Sequence, residues 1–295
     1  MKIDNISTYS KVLNITTWSK LNGVVGAAVP INWANIYTYT TNATATLITN
    51  WIGANISTSP NIPQIINGKN VVVNASTTFN GKTALTNCYI NNNVQFISNS
   101  MVNAFRSCSN LIGVDLIPNG VTDMSFTFFQ CNNLVNIPTI PNSVVNLSYT
   151  FQSCSKLVNA PIIPSNVTNM LATFRSCTNL VNAPTIGTNV TNMWLTFYGC
   201  SNLINAPTIP NQVTTMYQSF VTCTNLVNAP TIGANVTNMQ GAFYGCSNLI
   251  NAPTIPNKVT DIVSLFSDCY NLVNAPTIGA NVTNMYATFQ SCSNL

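Results

Sequence analysis

The sequence predicts a repeat solenoid, a right-handed coil of short strands and turns, and three observations carry that prediction. Nine cysteines, from Cys108 through Cys131, Cys154, Cys177, Cys200, Cys223, Cys246 and Cys269 to Cys292, are spaced 23 residues apart. Self-similarity at a fixed period of about 20–50 residues marks stacked repeats. Proline or glycine recurs within each unit, as at Pro118, Pro141 and Gly187, which stops a helix from crossing its first third. The chain is 46% hydrophobic but only 5% charged, so it has apolar material for a long core under a surface of Asn, Thr and Ser.

Taken in order, residues 1–56 are Thr-rich, aromatic and β-leaning, most clearly over 36–49, and are expected to form a small N-terminal attachment domain. Residues 57–65 read as a polar, proline-marked linker. Residues 66–110 read as an N-terminal cap, with a strand at Val71, Val72 and Val73 and a degenerate 26-residue first repeat from Leu85 that places Cys88 at its fourth position. Residues 111–295 hold eight 23-residue repeats.

Each unit is numbered from its leucine, the first being Leu111. Position 7 is Ile, 11 Val, 14 Met or a substitute, 18 Phe and 21 Cys. In a coil of this length equal positions stack in columns, so positions 1, 7, 11, 14, 18 and 21 are expected inward, with short strands pairing between turns. The Phe-to-Cys segment is expected to be a turn or a short helical piece. Asn at positions 3 and 23 is expected to form side-chain amide ladders.

These residues carry a resemblance. The string Asn189, Val190, Thr191, Asn192 and Met193, followed by Phe197, Cys200, Asn202 and Leu203, resembles the bacterial surface leucine-rich repeats of the BspA-like class. The resemblance implies a leucine-rich-repeat-type coil that is non-catalytic and serves adhesion or protein binding. A second, shorter stretch, Ser10–Ile15 and Trp18–Val24, is similar to motifs that open some phage fibre proteins. No basic start followed by an apolar stretch marks an export signal.

The expected function is therefore a phage virion fibre or appendage protein, docking on a virion structural protein through its N-terminal segment and projecting the solenoid toward a host cell-surface protein or glycan. The alternative is a bacterial surface adhesin or protein-binding module without a virion role.

Chemistry is constrained by what is absent. The chain contains no His and no Glu, leaving five Asp for acid–base work. Asp123 and Asp261 share position 13 but stand six rungs apart, about 29 Å at ~4.8 Å per rung, and a carboxylate pair needs about 9.5 Å or less. No catalytic residue, metal site or cofactor is expected. A line of cysteines one rung apart cannot converge on zinc, so they are expected to be buried thiols. The scattered cations exclude a nucleic-acid patch, and no apolar run reaches membrane-spanning length.

The variable positions 15, 16 and 19 carry aromatic residues on an otherwise uniform rod. Arg175, Trp194, Tyr198, Tyr217, Tyr244 and Tyr286 are the candidate binding residues. Leu295 opens a ninth unit without a polar cap, which predicts membership of an oligomer or larger assembly.

Overall fold

The structure, a computed structural model, describes residues 33–52 and 59–295. Its regular strands lie in the N-terminal third. Strands β1 (Tyr37–Thr41) and β2 (Ala45–Trp51) form an antiparallel pair, and β2 lies parallel to β5 (Lys69–Val73). On the other side of β5 sit β4 (Ile65–Ile66), antiparallel, and β7 (Gln95–Phe96), parallel. A second, parallel sheet has the order β3 (Asn61–Ile62), β6 (Asn87–Ile90), β8 (Gly113–Val114).

This packing corrects two expected boundaries. Residues 37–51 do not stand apart from the cap: Tyr37, Ile48 and Trp51 share one core with Ile66, Val71 and Phe79, and the Tyr37 hydroxyl donates to the Asn61 carbonyl at 2.7 Å. Residues 59–65 are not a free linker, because Ile62 is buried in β3 against β6. Alternation brings Thr46 and Ile48 of β2 to the core, and the register shift in the β1–β2 pair, which passes over Thr49, brings Trp51 to the same side, where it meets Phe79. The Ser10–Val24 stretch and the rest of 1–32 and 53–58 lie outside the described residues.

Cys88 pairs with Val114 whereas Ser100 pairs with Asp123, so the extra residues of the degenerate unit are inserted between Cys88 and Ser100. From unit 1 (111–133) onward the 23-residue register is unbroken.

The repeats contain no extended strands. Adjacent units touch through single-residue parallel bridges in two columns, position 3 (Asn182↔Asn205, Asn205↔Asn228) and position 13 (Asn169↔Asn192, Asn192↔Thr215). The reason lies in the backbone between positions 14 and 21. The N–H groups of Met170, Ala172, Phe174 and Ser176 donate to carbonyls of the next unit at 2.7–2.9 Å. Those of Thr173, Arg175 and Cys177 turn back to the carbonyl three residues earlier.

That alternation needs a left-handed residue at positions 16 and 20, as at Ala172 (φ 51°), Ser176 (φ 59°), Leu195 (φ 57°) and Gly199 (φ 73°). Of the two expected forms of the Phe-to-Cys segment the structure has the turn and not the helical piece, and pairing between units is reduced to single-residue bridges, because neither a helix nor a longer ladder tolerates a positive φ every fourth residue.

The columns form one core. Phenylalanine rings stack from Phe79 through Phe105 to Phe289 with centroids 5.3–5.8 Å apart and planes within 18°. Position 17, which the expected core omitted, is buried too. Thr196 Oγ1 donates to the Met170 carbonyl at 2.9 Å, and Cys200 Sγ donates to the Phe174 carbonyl at 3.1 Å. These side chains give a second hydrogen bond to carbonyls of the preceding unit that already accept a turn N–H, and so keep the buried hydroxyl and thiol paired.

All ten cysteines are free thiols, buried except Cys292, and burial pushes the Cys200 thiol up to about 12. In unit 8 Phe289 and Cys292 are only partly covered and Met285 is exposed. The amide ladders occur at position 3 (Asn205 to Asn182, 3.3 Å) and position 23 (Asn225 to Asn202, 3.3 Å), with a third at position 13 (Asn192 to Asn169, 3.2 Å).

Candidate binding face

Positions 15, 16 and 19 share one face, and the left-handed residue at 16 is what arranges it. Turning the chain there points the side chain at 16 toward that at 19, so Phe126 and Phe129 of unit 1 meet at 5.7 Å. The position 13 side chain fixes the entry to this turn. Asn192 Oδ1 accepts the Trp194 N–H at 3.0 Å, and Asp123 and Asp261 make the same bond to Ser125 and Val263. The two aspartates thus stand in for asparagine in a turn, and no group of three or more metal-ligating side chains occurs among the described residues.

The structure brings five of the six candidate residues together. The guanidinium of Arg175 lies over the Tyr198 ring at 4.9 Å, and Trp194 meets Tyr217 edge-on at 5.2 Å. Tyr198 and Tyr244, both at position 19 but two units apart, wall a cleft of about 270 Å³, with Tyr217 beside them. Small residues make its floor: Val221 occupies position 19 between the walls, and Gly241 occupies position 16. Gln218 and Gln240 supply side-chain amides, and no lining residue is charged.

The neighbouring Asp268 carboxylate pushes the ionisation of the Tyr244 hydroxyl upward. Tyr286 does not join them. It is 77% exposed in unit 8, outside the lining of the cleft.

A second cluster escaped the sequence reading. Arg106 lies over Phe126 (5.5 Å) and Phe129 (5.0 Å), and Phe126 stacks on Tyr149 at 4.6 Å. The signal was present in the same columns, but Arg106 falls in the degenerate unit and the cluster fills its own space rather than bordering a cleft.

Comparison with known proteins agrees with this architecture. The profile of the BspA type leucine rich repeat region, in six copies, matches residues 74–194 and 195–295. Among solved structures the chain is similar to the T. pallidum leucine rich repeat protein, 25% identical over 67% of this chain and 90% of that one, with a TM-score of 0.52. It is also similar to a leucine rich cell surface protein from Faecalibacterium prausnitzii A2-165, 20% identical over 92% of this chain and 94% of that one, with a TM-score of 0.45. No curated protein matches the chain.

Proposed function

Given that the chain belongs to the BspA type leucine-rich-repeat family, we propose that it is a non-enzymatic protein-binding module displayed on a bacterial surface. Its contact face is formed by positions 15, 16 and 19. The observation that carries this reading is the contrast between constant buried columns and a face on which Arg175, Trp194, Tyr198, Tyr217 and Tyr244 converge. Arg, Trp and Tyr are the usual anchors of protein interfaces. The virion reading rests on the Ser10–Val24 stretch, whereas the surface reading draws on the repeats themselves, so the surface reading is preferred.

The test uses beads coated with the purified chain and intact cells, with or without protease shaving. Adhesion that is lost on shaving, and lost in a Trp194→Asp, Tyr217→Asp double variant of unchanged fold, is the expected result. Adhesion indifferent to the double variant overturns the face. Recovery of the native protein in purified phage particles, rather than on shaved-off cell surfaces, overturns the location.

A further inference from the structure

We infer that the cleft between Tyr198 and Tyr244 is a binding site for a neutral, pyranose-based saccharide. This rests on the proposed contact face and gives one part of it a small-ligand chemistry. The first argument is preorganisation. Two of the three rings are held from outside the cleft, Tyr198 by the Arg175 guanidinium at 4.9 Å and Tyr217 by the Trp194 edge at 5.2 Å. A ligand therefore meets two rings that already have packing partners, which lowers the ordering cost of binding.

The second argument is size. The wall residues stand two rungs apart, ~10 Å at about 4.8 Å per rung, and subtracting a ring thickness of about 3.5 Å leaves a gap near 6 Å. A single saturated six-membered ring fits that gap. An α-helix, about 10–12 Å across with its side chains, does not.

The third argument is chemistry. The ring faces are apolar and electron-rich, suited to the C–H face of a sugar. The polar lining groups are the amides of Gln218 and Gln240 and the hydroxyls of Tyr198, Tyr217 and Ser264. Each can both donate and accept, as a sugar hydroxyl does, whereas a proline-rich peptide offers mostly carbonyl acceptors. With no Lys or Arg in the lining, nothing compensates a carboxylate or sulfate, so the saccharide is uncharged.

The floor supplies the discriminating variant. Gly241 sits at position 16 with φ +60°, and the same position one rung pair earlier holds Leu195 at φ 57°, so leucine is compatible with the backbone there. A Cβ at Gly241 meets only the Gln218 side chain, 3.3 Å away. Gly241→Leu therefore fills the cleft at the cost of a left-handed side-chain-bearing residue of the kind the coil already carries at Leu195, and of a shift of the Gln218 side chain.

The experiment is saturation-transfer NMR on the full chain with maltotetraose, cellotetraose, 3′-sialyllactose and a proline-rich decapeptide as probes, each variant being checked by far-UV circular dichroism. Transfer to the pyranose protons of a neutral tetrasaccharide is expected. It should fall about tenfold in apparent affinity in Tyr198→Ala and Gly241→Leu, and stay unchanged in Tyr286→Ala. No transfer from either tetrasaccharide, undiminished binding by Gly241→Leu, or a stronger response from sialyllactose or from the peptide overturns the inference. Protein-dependent cell adhesion that persists in Gly241→Leu leaves the contact-face reading standing, and loss of adhesion in the Trp194, Tyr217 double variant is scored separately.

Discussion

The cap, residues 33–114, and the body, units 1 to 8, solve the same stacking problem by different means. In the cap, strands of up to seven residues pair in two sheets; alternation sends Ile48, Val71 and Val73 inward, and a register shift in β2 does the same for Trp51. In the body no strand forms after the two-residue β8 at its start, and adjacent units share two single-residue bridges, side-chain ladders and a run of alternating turns. The cap draws its order from strand pairing between segments that do not repeat one another. The body draws it from identity between neighbours, since a ladder of Asn, Thr or Cys works only if the next rung repeats it. A repeated unit can therefore dispense with strand length, whereas a unique segment cannot.

The largest effect that separates the two regions is alkaline. An unfolded thiol loses its proton near pH 8.5, while burial holds the proton on Cys200 to about 12. Between these values the folded chain binds more protons than the unfolded one. Stability is therefore fully present below about pH 8.5 and falls as pH rises, by about 1.4 kcal/mol per pH unit for each fully buried thiol. Most such thiols lie in the body.

In a Trp194→Phe variant every remaining tryptophan precedes unit 1, so indole fluorescence reports on the N-terminal region and far-UV circular dichroism on the whole. A dichroism loss at lower pH than the fluorescence change is expected. Coincident transitions would merge the two regions into one cooperative unit, and stability unchanged to pH 11 would contradict the buried column.

Next in size is the aromatic stack, which runs through both regions. Phe197→Ala is expected to cost about 3–5 kcal/mol, because the ring is fully buried between Phe174 and Phe220. Phe105→Ala, at the seam where the stack passes from Phe79 in the cap to Phe128 in unit 1, should cost a similar amount and also split urea unfolding into two transitions. A single transition with unchanged slope would deny that the seam couples them.

Smallest is the backbone. Ser176 holds a left-handed conformation at φ 59° where the next unit has Gly199, so Ser176→Gly is expected to stabilise the body by up to about 1 kcal/mol. A loss of stability would show that the serine side chain contributes more than its backbone strain costs.

Much of this was legible in the sequence. The period fixed which residues stack, and the Asn ladders and free thiols follow from columns alone. Thr196 and its counterparts at position 17 were missed because a polar residue inside an apolar period reads as surface. Its recurrence between Met and Phe was the available signal, and its buried bond to a carbonyl one unit away is the reason. The left-handed positions were hidden because Phe126, Ala172 and Leu195 occupy them, and only Gly199, Gly241 and Gly245 hint at the conformation.

The continuity of cap and N-terminal hairpin depends on β2 pairing with β5 across a proline-bearing stretch that local composition marks as a break. At the candidate site the aromatic stripe was readable. That Tyr198, Tyr217 and Tyr244 enclose a cleft while Tyr286 stands apart was not, because it depends on the small residues Val221 and Gly241 between them.

Gene-level length change acts on this molecule through the two-unit spacing of its wall tyrosines. Tyr198-Gly199-Cys200 and Tyr244-Gly245-Cys246 recur with one intervening unit that carries Val221 instead. Duplication or loss of a single 23-residue block leaves every buried column in register, so recombination can shorten or lengthen the rod at little cost to folding. Loss of the Val221 unit would bring the two tyrosines onto adjacent rungs and close the cleft, whereas duplication of a two-unit block would copy it. The number of such clefts along the rod would thus follow the length of the block that is copied.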